Sequence, residues 1–108
     1  MPGLGRLSDL AASYAVHCHG CPAGVHNVIG PAVTGSPTVL VNSLPALRYR
    51  DLGVAVACCG PNTWIATTGS TTVFIDALPA HRQGDVVIHC SITLGNLIMG
   101  SPDVIVGG

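Results

Sequence analysis

The sequence predicts an all-β protein, a small fold of three pseudo-threefold-related repeats built from short strands and tight turns. Three observations predict it. The chain holds fourteen glycines and eight prolines and contains neither Lys nor Glu, two good helix formers with long, well-solvated side chains. Short Val-rich runs alternate with turn residues, the pattern of brief strands. One segment also repeats, without gaps, inside the chain. At 108 residues this is one domain, 1–108, whose core is modest enough to need a staple.

The repeat is the strongest of the three signals. Residues 35–51, GSPTVLVNSLPALRYRD, align with residues 69–85, GSTTVFIDALPAHRQGD, and nine of the seventeen positions are identical. A truncated third copy, GSPDVIVGG, begins at Gly100. The N-terminus supplies its other end, since Arg6 and Asp9 keep the spacing of Arg48 and Asp51 and of Arg82 and Asp85. Three Arg-x-x-Asp stations therefore alternate with three Gly-Ser stations.

Each unit reads in the same way. Gly-Ser opens a turn into a short strand at Val39-Leu40-Val41, Val73-Phe74-Ile75 or Val104-Ile105-Val106. Asn42-Ser43 and Asp76-Ala77 follow as turn residues. Pro45 and Pro79 then fix φ and are expected to end the pairing. The Arg-x-x-Asp pairs are expected to join neighbouring units through charged hydrogen bonds; on an exposed surface they would contribute little.

The segments between stations differ in length, and they hold all five Cys and every His except His81. Three similar units cannot each bury a face alone, so they must pack on one another. Arranged around an axis, they would put the stations at one end and the connecting segments at the other. His and Cys from three directions would meet there, a suitable place for a tetrahedral ion that staples a thin end. An open three-repeat solenoid is the competing geometry.

Other classes fit less well. A net charge of −1 gives no basic footprint for nucleic acid. No apolar run reaches the length of a membrane-spanning helix. The N-terminus, MPGLGRLSDL, has no apolar signal region, so export by another route is expected. Five Cys is an odd count, which suits free or metal-bound thiols better than a disulfide framework. A catalytic zinc would want an acid or base beside an open position; His-Glu-x-x-His is absent and the chain has no Glu. The His17–His26 spacing matches no common zinc finger.

These residues resemble the PAAR-repeat family, named for a Pro-Ala-Ala-Arg motif. The motif stands here as Pro45-Ala46-Leu47-Arg48 and Pro79-Ala80-His81-Arg82. The frame is similar as well: Gly-Ser-x-x-Val before it and Asp three residues after the Arg. The resemblance covers essentially the whole chain, and departs where Leu47 and His81 replace the second Ala. It implies a conical β-fold whose blunt base sits on the trimeric β-helix of a valine-glycine repeat spike protein. It implies a point sharpened by one structural zinc, typically held by three His and one Cys, and no enzymatic activity. It also implies assembly in the cytoplasm, delivery by a type VI secretion system or related contractile particle, and transient contact with the target membrane. Recruitment of effector cargo is the alternative role. The chain ends straight after its last repeat, so no effector domain is expected within it.

The resemblance also orders the ligand candidates. His89 lies four residues after Asp85, where a ligand His often follows, and Cys90 beside it would point to the opposite face of a strand. Cys58-Cys59-Gly60-Pro61 looks like the family's Cys-x-Gly-Pro, which favours Cys58 over Cys59. His19-Gly20-Cys21-Pro22 is similar to a His-x-Cys-Pro of one subgroup, with His26 as its later His. The expected set is His19, His26, Cys58 and His89, with His17 in reserve. Cys18, Cys21, Cys59 and Cys90 read as small buried hydrophobes, and His81 as packing or base surface. Zinc suits mixed N/S ligands in a closed site, with iron as the alternative.

Overall fold

The repeat asks for strands that pair across unit boundaries. The computed structural model describes residues 2–16, 26–54, 63–89 and 93–107, and they contain β1 (Leu10–Val16), β2 (His26–Pro31), β3 (Leu40–Val41), β4 (Leu44–Pro45), β5 (Leu52–Val54), β6 (Thr63–Ala66), β7 (Phe74–Ile75), β8 (Leu78–Pro79), β9 (Val86–His89) and β10 (Thr93–Leu97). No helix occurs among the described residues, and the expected all-β class is the one observed.

The stations form two small hairpins, β3–β4 and β7–β8. Their turns are Asn42-Ser43 and Asp76-Ala77, each pair with φ of 52° and 66°. Two consecutive left-handed residues make the two-residue turn that matches strand twist, which is why Asn and Asp lead each pair. Pro45 and Pro79 lie inside these hairpins, opposite Leu40 and Phe74, and do not end them. A two-stranded ribbon is all edge, so a missing N–H is tolerated.

Both termini build the third station. Gly3 bridges Ile105, and the Leu4 amide donates to the Val104 carbonyl at 2.9 Å. The same bond joins Ala46 to Val39 and Ala80 to Val73, each at 3.0 Å. The three stations then close on one another. Arg6 bridges Ala46, Arg48 bridges Ala80, and Arg82 bridges Leu4. Inside that ring the Leu47 amide donates to Gly5, His81 to Leu47, and Gly5 to His81, at 2.9, 3.1 and 2.9 Å. Each unit bonds to the next and the third returns to the first, so the geometry is a closed threefold ring and not an open solenoid.

The remaining six strands form one antiparallel sheet in the order β2-β1-β10-β9-β6-β5. Its two edges meet where Ala32 bridges Gly53 and the Val33 amide donates to Leu52 at 2.8 Å. This single bridge nearly closes the sheet into a barrel. The molecule measures 41 × 23 × 22 Å, long with a nearly round section, as a threefold stack requires.

Side chains fill the axis in layers of pseudo-equivalent positions. Val41, Ile75 and Val106, with Leu4, Ala46 and Ala80, form the station core. Gly5, Leu47 and His81 come next, all buried. A second core inside the sheet contains Ala11, Ala32, Leu47, Trp64, Val87 and Leu97. Repeat positions Gly30, Trp64 and Gly95 hold one large side chain and two glycines. Trp64 is 1% exposed, and its indole Nε1 donates to the Gly30 carbonyl at 3.3 Å. A Cβ at Gly53 would fall within the Trp64 ring, and one at Gly95 would strike the Ala12 carbonyl. The barrel is too narrow for more than one indole, and glycine backbone packs around it.

Candidate functional site

Strand direction decides which residues can meet. β1, β5 and β9 run one way, and β2, β6 and β10 return. The ends of β1, β5 and β9 and the starts of β2, β6 and β10 therefore lie together at one end of the sheet. These strand ends flank residues 17–25, 55–62 and 90–92, which carry seven of the nine candidate ligands; His26 and His89 are the strand-end residues beside them. The stations lie at the opposite end, beyond Leu10, Leu52 and Val86.

His89 is the candidate ligand whose side chain is described. It is the last residue of β9, directly opposite Trp64 on β6 and Thr93 on β10. Strand alternation turns it inward with Val87, and it is 1% exposed. Neither ring nitrogen has a hydrogen-bonding partner among the described residues. Burial lowers its pKa, which keeps the ring neutral, the form that donates a lone pair to a metal. A buried imidazole with both nitrogens unsatisfied costs stability unless something binds it. These features fit a zinc ligand.

The other expected ligands are placed less fully. His26 opens β2 at the same end, opposite Val16; its side chain lies outside the description. His19 and Cys58 lie outside the described residues, as do His17, Cys18, Cys21, Cys59 and Cys90. Among the described residues no group of three or more His, Cys, Asp or Glu comes together.

His81 belongs to the station half. It is fully buried in the axial layer with Gly5 and Leu47. Its Nδ1 lies 2.7 Å from the Thr68 carbonyl, which assigns the proton to Nδ1. Nε2 has no partner among the described residues. Burial lowers its pKa against the opposing effect of the Thr68 bond. This is packing, one of the two roles expected for it.

The stations carry a repeated polar scaffold. Arg6, Arg48 and Arg82 pair with Asp9, Asp51 and Asp85 in their own units, at 2.9, 3.0 and 2.9 Å. The pairs thus close within units, contrary to the expectation that they join neighbours. The remaining guanidinium nitrogen does the joining. Nη1 of Arg6 donates to Asn42, that of Arg48 to Asp76, and that of Arg82 to the Gly107 carbonyl, at 3.2, 3.1 and 3.1 Å. Hydrogen bonds to Asp raise the pKa of all three arginines. Hydrogen bonds from Ser36 and Thr38, with Arg48 adding its charge, lower that of Asp76. Burial pushes Asp85 up, but its bonds to Arg82 outweigh it and leave its pKa lowered. None of these carboxylates is free to act as a base.

The station end also exposes apolar side chains in register with the repeat. Leu40, Phe74 and Ile105 are pseudo-equivalent and 64%, 56% and 52% exposed. Spacing reasoning missed this triad, although the repeat alignment places all three in one column. It also missed Trp64 as the axial plug, because a single Trp breaks the repeat instead of following it.

Comparison of the chain with protein-family models finds no match, and comparison with curated proteins finds none either.

Proposed function

We propose that this protein is a structural spike tip, capping the trimeric β-helix of a contractile injection machine and entering the target envelope point first. The observation that carries this reading is the closed threefold ring of stations. A trimeric shaft offers three equal subunits, and a single chain can engage all three only by presenting three equivalent surfaces. The ring does so, and Leu40, Phe74 and Ile105 give each subunit an apolar contact. The resemblance of the Pro-Ala-x-Arg stations to PAAR repeats supports the same reading. Recruitment of effector cargo is the alternative, and the machine could be a type VI system, an extracellular particle or a phage tail.

The opposite end is the proposed point. His89, with His19, His26 and Cys58, would hold zinc there. Bound zinc supplies a closed tetrahedral crosslink of nitrogen and sulfur ligands. His89 contributes a buried, neutral and otherwise unsatisfied imidazole. Asp51 and Asp85 are held by their arginines and the chain has no Glu, which supports a structural reading over a hydrolytic one.

Two measurements test the proposal. Element analysis of native protein should find about one zinc per chain, with iron as the alternative, and His89→Ala should lower that content. The protein should co-purify with a trimeric spike protein, and the double variant Leu40→Asp/Phe74→Asp should not. Retention of the partner by the folded double variant would refute the station end as the dock.

A further inference from the structure

The three junctions between stations are built alike, yet one of them lacks a charge that the other two have. At each, the outer nitrogen of an arginine reaches the next unit. Where Arg6 does so, Asn42 Oδ1 accepts Nη1 at 3.2 Å and the Ser101 hydroxyl at 2.6 Å. The Asn42 amide in turn donates to the Asp103 carboxylate at 3.2 Å. Where Arg48 does so, the Asp76 carboxylate accepts Nη1 at 3.1 Å together with the hydroxyls of Ser36 and Thr38. Where Arg82 does so, the Gly107 carbonyl accepts Nη1 at 3.1 Å and the Ser70 hydroxyl at 2.8 Å. By repeat position, Thr72 stands where Asp103 does, and Gly107 stands where Asp76 does. Among the described residues, this third junction therefore adds no carboxylate to the in-unit Asp85.

The turn that carries these side chains is the same in all three units. Ser36 accepts the amides of Thr38 and Val39, Ser70 those of Thr72 and Val73, and Ser101 those of Asp103 and Val104, at 3.1 and 2.9 Å in each case. Thr72 is exposed, and its hydroxyl lies 3.3 Å from that of Ser70. Arg82 commits Nε and Nη2 to Asp85, which leaves Nη1 with a neutral acceptor. The bond to its own Asp raises the pKa of each arginine. The charge of Asp103 adds to this at Arg6 and that of Asp76 at Arg48, whereas at Arg82 Asp85 acts alone.

We propose that the junction of Ser70, Thr72 and Arg82 is a carboxylate-binding site. The molecule supplies its own precedent, since the same trio of residue types, Ser36, Thr38 and Arg48, holds the Asp76 carboxylate. The incoming group takes the place that Asp103 holds beside Arg6, outside the Gly107 carbonyl. It accepts from the Thr72 hydroxyl and from Arg82, whose Nη1 carries two N–H groups, of which the carbonyl uses one. A charge-assisted bond is stronger than one to a neutral carbonyl. One such contact on a surface holds a free carboxylate more weakly than about 1 mM. An acidic side chain on a docked protein gains from its neighbours' contacts as well. Thr72 lies two residues before Phe74 and is exposed as Phe74 is, so a protein resting on Phe74 can bring that side chain. At the other two junctions the same side chain would meet Asp103 or Asp76, so the site tells one face of the ring from the other two. The inference stands on the comparison of the junctions and not on the spike assignment.

Twin substitutions in the full chain test it. Thr72→Asp supplies the carboxylate from within and should raise the melting temperature by about 3 °C at low salt. Thr38→Asp, made on the same backbone beside Asp76, should lower it, because two like charges then share one arginine. Both positions are exposed, so both variants should fold. The second measurement uses acetate as the probe, exchanged for chloride at constant ionic strength. The amide resonances of Thr72 and Val73 should shift and saturate, those of Thr38 and Asp103 should not, and Thr72→Asp should abolish the response. Equal effects of the two substitutions overturn the inference, as does an acetate response that is absent or the same at all three junctions. A site already filled from within the chain would show neither the gain nor the response, and overturns it too. Co-purification then separates the sources. Thr72→Asp should retain less of the spike protein where that protein's acidic side chain is the occupant, and as much as the native chain where the carboxylate is free. Acetate binding does not need the spike protein, so either idea can fail without the other.

Discussion

At the station end, positions related by the repeat carry the same residues: Arg6, Arg48 and Arg82, or Asp9, Asp51 and Asp85. In the closed sheet, related positions carry Gly30, Trp64 and Gly95, or Ala11, Gly53 and Val87. Both regions share one threefold backbone, as the cyclic bridges and the paired strand ends show. Their side chains differ because they stand at different distances from the axis. The guanidinium–carboxylate pairs lie outside it, where three copies fit without meeting. The sheet interior lies on it, where three copies would compete for one volume. Symmetry of backbone therefore demands asymmetry of side chain wherever the axis is filled, and close packing enforces the demand.

Substitutions can break this comparison from either side. The largest effect is expected at Trp64, the side chain that fills the narrow sheet. Trp64→Ala should cost about 3–5 kcal/mol through lost burial and an unfilled cavity. Denaturant unfolding would measure it, and a loss below about 1 kcal/mol would mean the sheet does not depend on this plug.

Asp51 tests the station end. Its carboxylate accepts the Arg48 amide and two guanidinium nitrogens, and the Thr34 hydroxyl as well. It is 5% exposed. Asp51→Ala should cost about 2–3 kcal/mol, because charged hydrogen bonds are lost and buried donors are left unpaired. The equivalent changes at Asp9 and Asp85 should give similar melting shifts, if the three stations are energetically equivalent.

His81 sits between the two regions, in the layer that also holds Gly5 and Leu47. His81→Leu places a second leucine there and should change stability by less than about 1.5 kcal/mol at pH 7.5. It should not alter zinc content. The acid response should change more. The pKa of His81 is lowered from 6.5 by burial, so below pH 6.5 the unfolded chain takes up the proton more readily. Stability of the metal-free protein should fall as pH drops below 6.5, and His81→Leu should fall less. Parallel unfolding curves at pH 7.5 and pH 5 would reveal the difference, and identical losses would remove His81 from the acid response.

The smallest effect is expected in the station turns. Ala77 holds φ at 66°, a conformation that costs a residue with a Cβ about 1 kcal/mol. Ala77→Gly should raise the melting temperature by a few degrees, net of the added freedom of the unfolded chain. No gain would show that the hairpin context already absorbs the strain.

The gapless repeat determined a great deal by itself. It gave the all-β class, the turns at Asn42-Ser43 and Asp76-Ala77, and the separation of stations from the segments rich in His and Cys. These were legible because turns and short strands are local, and local rules need only neighbouring residues. The charge difference between the junctions was equally present in the chain, at Thr72 and Gly107, but its meaning required knowing which residues of neighbouring units meet. Of the expected ligands, the resemblance preferred His89 to its neighbour Cys90, and the structure turns His89 inward and buries it. Tertiary structure alone decided the rest. It closed the ring by bonding Arg82 back to Leu4, and turned the third nitrogen of each arginine to its neighbour. It also chose Trp64 to occupy the axis. The physical reason is the same in each case: closure and axial packing depend on volume shared by residues far apart in the chain, and no local pattern records that volume.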